Sequence, residues 1–149
     1  MTPFKRFRDE EGSTLPLIAG FGALGLAIVL VAAAASSLYL ERKQLFTLAD
    51  GAALVGAEAF DLSDVALDPA TGEPGVLLES ADVHRDVVAF LAGNPNGGFE
   101  GLVLEEAASR DGESATVTLS SIWRPPIVTV LFPEGIRIET TATARSIFG

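Results

Sequence analysis

A long stretch without charge dominates the first third of the sequence. No charged residue occurs from Gly12 through Leu40, and the most apolar part runs from Leu15 to Ala35. At a rise of ~1.5 Å per residue, this part is long enough to cross a hydrocarbon core of ~30 Å. The sequence therefore predicts one membrane-spanning helix, followed by a unit large enough for a modest core of its own.

The glycines in this stretch also have the spacing of a dinucleotide-binding turn. Residues 20–25 read GFGALG, but such a motif binds a nucleotide when it follows a buried strand and opens an amphipathic helix. Here Pro16 interrupts the preceding segment, and the residues that follow have no polar face. Gly20, Gly22 and Gly25 instead fit the small residues at which membrane helices approach one another.

Further small residues recur at helical spacing along the predicted span. Two interpretations are open: they form a face that packs against another membrane helix, or they are ordinary alanine-rich filler of the span. The predicted packing face consists of Ala19, Gly20, Ala23 and Ala27.

Charge is unevenly distributed along the chain. Of its 20 acidic residues, only Asp9, Glu10, Glu11 and Glu41 precede residue 44, so residues 44–149 hold sixteen acids against five arginines. This balance argues against nucleic acid or anionic lipid head groups as partners of that unit. The chain has no cysteine, which excludes a disulfide framework, a thiolate metal site and a thiol nucleophile.

The flanking cations predict the orientation of the span. Lys5, Arg6 and Arg8 precede it, whereas Arg42 and Lys43 follow it. The positive-inside rule then places the N-terminus in the cytoplasm. The predicted division is a cytoplasmic leader at 1–12, a single-pass transmembrane helix at 13–40 and an extracytoplasmic α+β domain at 41–149 in the cell membrane.

A cleaved secretory signal is an alternative interpretation of the same stretch. Residues 32–37 read AAAASS, and cleavage near Ala35 would give a secreted protein that begins near Ser36. Typical signal peptides have a shorter apolar region of ~7–15 residues. The helical pattern also continues past the supposed cut, which favours an uncut helix.

An apolar stripe continues the helix beyond the membrane. Residues at helical spacing predict one helix from about Thr14 to about Phe60, transmembrane in its first half and amphipathic in its second. The residues expected to pack on the C-terminal unit are Leu45, Leu48, Ala52, Val55 and Ala59.

Proline and glycine then predict a loop over residues 61–75. Its acids are Asp61, Asp64, Asp68 and Glu73. Their spacing does not fit the alternating ligands and central glycine of a twelve-residue calcium loop. We therefore expect a solvated acidic loop without a bound ion.

A short second helix follows, over residues 81–92. Ser80 is positioned as its N-cap, and GNPNGG at 93–98 ends it. Its expected buried face consists of Val83, Val87, Phe90 and Leu91, while His84, the only histidine, falls on its polar side. We interpret His84 as a surface residue.

Three extended segments complete the chain, at 99–107, 113–123 and 136–148. Asp111 and Gly112 form a strong hairpin signal between the first two. Alternation predicts buried faces made of Ala115, Val117, Leu119 and Trp123 in the second segment and of Ile136, Ile138, Ala142 and Ala144 in the third. The apolar run 127–132 fits either a core strand or a loop on the membrane surface.

The predicted fold class is thus α+β: one long N-terminal helix packed on a small antiparallel sheet with a second short helix. The sequence has no nucleophile elbow, paired histidines or phosphate loop. Glu105 and Glu106 alternate faces of a strand, so they do not form an acid/base pair. We predict no catalysis, no cofactor and no metal site.

Residues 8 to 60 resemble the N-terminal region of the TadE/TadG-like proteins of the Tad (Flp) pilus machinery. The counterparts are RDEEG at the start, Tyr39-Leu40 at the boundary, Arg42-Lys43, and Leu45 through Ala57 with Ala49-Asp50 and Ala52-Ala53-Leu54. TATARS near the C-terminus is also similar to the final strand of many members.

This resemblance implies a pilin-like or pseudopilin-like accessory subunit, or minor pilin, held in the membrane and associated with the pilus. Its implied partners are other pilin-like subunits, Tad membrane platform proteins, the lipid bilayer and a prepilin peptidase that cuts between Gly12 and Ser13. Leu17 stands where pilin-type helices usually carry a glutamate.

Two further functions remain open at the level of sequence. One is a membrane-tethered extracytoplasmic binding module unrelated to pili, in which the helix is only an anchor. The other is the secreted protein described above. Contact between the small-residue face and another subunit would favour a pilus role over a simple anchor.

Overall fold

The computed structural model describes residues 14–60, 65–67, 72, 74–94, 98–125 and 133–146. A small hairpin precedes the second helix, and a three-stranded antiparallel sheet of order β3-β4-β5 follows it. The predicted α+β fold, with a long helix, a short helix and an antiparallel sheet, is confirmed. In chain order the elements are α1 (Thr14–Ala57), β1 (Val65–Leu67), β2 (Pro74–Val76), α2 (Ser80–Gly93), β3 (Val103–Ser109), β4 (Ser114–Trp123) and β5 (Ile136–Arg145).

Helix α1 is continuous over 44 residues. It begins where the sequence predicts and ends three residues before Phe60, in a turn where the Ala59 N–H donates to the Gly56 carbonyl at 3.3 Å. Among the described residues, α1 is the one helix long and apolar enough to cross a membrane. In the span-length window of mean hydropathy 2.5, no residue is buried within the chain.

The core lies between the C-terminal half of α1, the sheet and α2. Strand β4 runs in the opposite direction to α1, with Ala115 beside Gly56 and Trp123 beside Ser37. Small side chains allow this close approach of helix and sheet. The fully buried core side chains are Leu45, Ala49, Ala52 and Ala53 of α1, Val83 and Val87 of α2, and Ala115, Val117 and Leu119 of β4.

The start of α2 differs from the prediction. Its N-cap is Glu79, which makes no side-chain cap hydrogen bond, and Ser80 is already helical. The Ser80 hydroxyl instead donates to the Ser109 carbonyl at 2.8 Å and accepts from the Ser109 N–H at 3.1 Å. The prediction that Ser80 caps α2 is wrong because this hydroxyl satisfies the end of β3 rather than the helix.

The turn between β3 and β4 is built around Asp111. Its carboxylate accepts the N–H groups of Glu113 at 3.0 Å and Ser114 at 2.8 Å, and also the Ser114 hydroxyl. Gly112 has a φ of 75°, a left-handed conformation that glycine adopts without steric cost. The hairpin therefore turns at the Asp-Gly pair that the sequence indicates.

The segment from 61 to 75 is not wholly a loop. Val65–Leu67 and Pro74–Val76 pair antiparallel, with Val65 opposite Val76. The prediction of a loop is wrong for residues 65–67, 74 and 75 because paired backbones satisfy each other's polar groups, and proline is tolerated at the first position of a strand. The acids Asp61, Asp64, Asp68 and Glu73 lie outside the described residues, as does the apolar run 127–132.

The alternation predicted for β5 holds only in part. Ala142 and Ala144 are buried, but Ile136 is 44% exposed at the end of the strand. Thr140 takes a buried position on the same face. Alternation assigns side chains to faces, whereas burial also requires a covering element, and α1 covers only part of β5.

Candidate functional site: the uncovered helix and its junction with the head

The first part of α1 has no covering element in the chain. Every side chain from residue 14 to residue 29, which we call the uncovered segment, is exposed. Leu15 is 77% exposed, Ile18 71% and Phe21 67%. Since burial of one such side chain is worth about 1.5–3 kcal/mol, this surface requires lipid or another protein around it.

The predicted packing face lies on this uncovered segment. Ala19, Gly20, Ala23 and Ala27 share one side of the helix at spacings of one, four and eight residues, and all four are exposed. A β-carbon added at Gly20, Gly22 or Gly25 would meet nothing within 4 Å. The chain's own packing therefore gives no reason for glycine there, although glycine costs about 0.5–1 kcal/mol relative to alanine within a helix.

The second half of α1 contacts the head, by which we mean α2 and strands β1 to β5. Of the predicted stripe, Leu45 and Ala52 are fully buried and Leu48 and Val55 are half-buried. Ala59 is also buried, but it lies in the turn after the helix.

Sequence reasoning missed the small residues at the centre of this contact. They are Ala49, Ala53 and Gly56. A β-carbon at Gly56 would lie 3.0 Å from Val83 Cγ1 and 3.1 Å from Ala115 Cβ. Such residues contribute close approach rather than large apolar area, and each of the three lies one position after a residue of the predicted stripe.

The end of the sheet nearest the uncovered segment is polar. Trp123 Nε1 donates to Ser37 Oγ at 3.3 Å, and this contact joins residues 86 positions apart. A buried indole N–H usually has such a partner. Close to this end, Ser121 Oγ and Thr140 Oγ1 are buried and have no hydrogen-bond partner among the described residues. Helix and sheet therefore meet through apolar contacts at one end and hydroxyl groups at the other.

A groove of about 420 Å³ opens beside this junction, between α1 and β5. We call it the boundary groove because it begins at the last residues of the charge-free stretch. Its lining combines two cations, two aromatic side chains and two threonines: Arg42, Lys43, Tyr39, Phe46, Thr140 and Thr141. A second groove, of about 430 Å³, is lined by Gln44, Thr47, Leu48, Phe90 and Phe99.

The outer face of the sheet carries a polar network that the sequence did not indicate. Ser120 is fully buried, and its hydroxyl donates to Glu105 Oε1 at 2.5 Å. Arg137 Nη1 donates to the same hydroxyl at 2.6 Å and lies 3.4 Å from Glu105 Oε1. Both hydrogen-bonding roles of this serine are occupied, so the arrangement links three strands and offers no free nucleophile.

The ionisable residues of α2 form surface pairs. Arg85 lies 2.6 Å from Asp82 Oδ1 and 2.9 Å from Asp86 Oδ1, and the Asp86 hydrogen bond raises the pKa of Arg85. His84 is exposed between them. In the described parts of the chain, no three histidine or acidic side chains come together in a way that could hold a metal ion.

Comparison with known proteins gives a match for the N-terminal region of the chain. Residues 12–59 match the family model described as Tad: Putative Flp pilus-assembly TadE/G-like. No curated protein matches the chain, and no solved structure does so either. The matched residues cover α1 from end to end, including both the uncovered segment and the face that contacts the head. The resemblance to the TadE/TadG-like proteins is therefore confirmed over residues 12–59.

Proposed function

We propose that this protein is a non-enzymatic, membrane-anchored, pilin-like subunit of a Tad/Flp-type pilus or of its assembly machinery. It acts through lateral packing of α1 in the membrane and through contacts of the head outside it. The observation that carries the proposal is the contrast within one family-matched helix: residues 14–29 are uncovered, whereas one face of residues 45–57 is buried against the head.

The dimensions of α1 support a membrane anchor. The charge-free helical residues 14–40 extend about 40 Å at ~1.5 Å per residue. This length matches the ~40–45 Å of a bilayer with its head-group layers. The Ser36 hydroxyl, near the end of this stretch, donates to the Ala32 carbonyl at 2.9 Å within the helix, which satisfies it where water is scarce.

The cation distribution supports the orientation of the anchor. Lys5, Arg6 and Arg8 before the span outnumber Arg42 and Lys43 after it, so the N-terminus lies in the cytoplasm and the head outside. The proposed division is a leader at 1–12, a transmembrane helix at 13–40 and a pilin-like domain at 41–149. Loss of the leader by prepilin peptidase cleavage would make Ser13 the first residue.

The partners are other pilin-like subunits and Tad membrane platform proteins. Leu17 leaves this helix without the glutamate by which pilin helices can pair with a neighbour's amine. Shape therefore has to supply more of the recognition, and the face of Ala19, Gly20, Ala23 and Ala27 admits a second helix at close range.

A pair of matched substitutions tests the packing face. Ala23→Leu places a bulky side chain on it, while Ala32→Leu places the same side chain nine residues away, on the opposite side of the helix at ~3.6 residues per turn. Both alanines are exposed. We expect Ala23→Leu, and likewise Gly20→Leu, to reduce pilus assembly and co-purification with other pilin-like subunits, and Ala32→Leu to leave both near wild type.

The near-UV circular dichroism and tryptophan fluorescence of the folded head should be unchanged in all three variants. Equal co-purification of the Ala23→Leu and Ala32→Leu proteins would contradict the packing face and favour a helix that is only an anchor. Intact mass of the protein from native membranes separates the three N-termini under consideration: an uncut chain, a start at Ser13, and a start near Ser36 that would contradict the anchor.

A further inference from the structure

We propose that the boundary groove binds the phosphate of an anionic phospholipid in the leaflet next to the head. This inference rests on the membrane anchor of the proposed function and is independent of the pilus role. The main observation behind it is that Arg42 and Lys43 are the cations without an ion-pair partner among the described residues, and that both line this groove.

Each arginine of the head forms an ion pair with at least one acidic side chain. In the described residues, Arg85 pairs with Asp82 and Asp86, Arg110 with Glu106, Arg124 with Glu100, Arg137 with Glu105, and Arg145 with Glu113. Arg42 and Lys43 are exposed, and no carboxylate lies within ion-pair distance of them in the part of the chain that the structure describes.

The acidic net charge of the chain does not exclude an anionic ligand at Arg42 and Lys43. The acidic excess of residues 44–149 argues against anionic lipid as a partner of that unit as a whole. Arg42 and Lys43 lie before it, and beyond a Debye length of ~8 Å at physiological ionic strength the exposed acids of the head are largely screened. Binding here depends on the residues that line the groove, and neither Glu41, next to Arg42, nor Glu139, next to Thr140, is among them.

The height of the groove along α1 matches the lipid head groups. No charge occurs on α1 before Glu41, so Arg42 and Lys43 are the first cations beyond the apolar stretch. Tyr39 is 66% exposed and Phe46 48% exposed beside them. Aromatic side chains of this kind concentrate where acyl chains give way to head groups, and lysine and arginine extend there toward phosphate.

The rest of the lining suits a phosphate. Arginine presents a fork of donors and lysine a compact charge, and both are established phosphate ligands. Thr140 also lines the groove, but its hydroxyl is buried, so Arg42 and Lys43 supply the donors that the phosphate would contact. An acidic segment of another protein would also satisfy the cations, but it would not account for exposed aromatic side chains at the membrane boundary.

The test uses the full chain in neutral detergent at physiological ionic strength, titrated with phosphatidylglycerol or phosphatidylcholine and examined by native mass spectrometry. We expect the wild-type chain to retain phosphatidylglycerol in preference. Arg42→Gln/Lys43→Gln should weaken its retention on the order of tenfold. The control, Lys5→Gln/Arg6→Gln in the uncut chain, removes the same charge at the other end of the span and should change retention less than about twofold.

Several outcomes would overturn the proposal. Equal retention of the two lipids by the wild-type chain, or equal loss in both double variants, would show that the groove does not select the phosphate. Displacement of the lipid by millimolar inorganic phosphate would identify a site for a free anion. Loss of co-purifying pilin-like subunits with unchanged lipid retention would assign the groove to an acidic protein partner.

A separate measurement distinguishes this proposal from the anchor on which it rests. The wild-type chain is mixed with vesicles of phosphatidylcholine alone and with phosphatidylglycerol added. Insertion into both without a lipid preference overturns the phosphate site alone. Failure to insert into either overturns the anchor and the phosphate site together.

Discussion

The two halves of α1 place glycine in different surroundings. Gly20 has no atom of the chain near the position of a β-carbon, whereas at Gly56 a β-carbon would press on Val83 and Ala115. Gly56 is small because the head approaches it closely. At Gly20 the chain supplies no close neighbour, so any close contact there would have to come from outside the chain. Whether a helical glycine is needed for close packing therefore depends on the atoms that face it.

The two ends of the helix–sheet contact differ in a second way. Toward the C-terminus of α1, alanines and Leu45 meet apolar side chains of the sheet. Toward the uncovered segment, Ser37 and Trp123 meet through a hydrogen bond. We expect the apolar end to supply most of the stability, since burial of apolar area is the dominant favourable contribution, and the polar end to help position the sheet along the helix.

The largest expected effect contrasts the two glycines directly. Gly56→Leu should destabilise the head by about 3 kcal/mol or more, because the side chain has no space between α1, α2 and β4. Gly20→Leu should leave the free energy of unfolding unchanged. Denaturant titration of the full chain in mild detergent measures both variants, and similar midpoints for the two would remove the distinction between the halves of α1.

The polar end is tested by two neighbouring serines. Ser37→Ala removes the partner of Trp123 and should destabilise by about 1 kcal/mol. Ser36→Ala removes a hydroxyl that bonds within the helix and should change stability by less than about 0.5 kcal/mol. A double-mutant cycle of Ser37→Ala with Trp123→Phe isolates the coupling. A coupling near zero would mean that this contact does not position the sheet.

A smaller effect of opposite sign is expected at Gly51. A β-carbon there would lie 3.5 Å from Phe90 Cζ, an ordinary contact. Gly51→Ala should therefore stabilise the head by about 0.5–1 kcal/mol through helix propensity. Gly56→Ala should show no such gain because of its close neighbours. Thermal unfolding compares the two, and a gain at Gly56 as large as that at Gly51 would contradict the tight packing.

The smallest expected effect concerns pH. The Ser114 hydroxyl, together with the N–H groups of Ser114 and Glu113, holds the pKa of Asp111 well below its usual range. A group with a lowered folded pKa stabilises above its unfolded pKa of about 3.9 and loses that contribution as pH falls through the folded value. Asp111→Asn should therefore lose less stability than wild type between pH 5 and pH 2. Parallel acid curves for the two proteins would contradict this.

Much of the fold followed from local patterns. The start of α1 and the alternation of Ala115, Val117 and Leu119 in β4 reflect periods of 3.6 and 2 residues, which depend only on near neighbours in the chain. The hairpin at Asp111 and Gly112 has the same local origin. These features required no knowledge of what packs against them.

Other features depended on residues far apart in sequence. Ser80 bonds to Ser109 rather than to its own helix, and Ser120 is buried by Glu105 and Arg137. The pairing of β1 with β2 and the exposure of Ile136 were also not predicted. In each case a hydroxyl, a short strand or an apolar side chain has several acceptable environments, and the local sequence does not choose among them.

The candidate site likewise has features that the sequence predicts and features that only the folded structure shows. From the sequence came a charge-free span, its small-residue face, the cations after it and the resemblance now matched over residues 12–59. From the tertiary structure came the burial of Ala49, Ala53 and Gly56 and the placement of Arg42 and Lys43 beside Thr140. Periodicity and charge are properties of the chain itself, but burial and the lining of a groove exist only once distant segments meet.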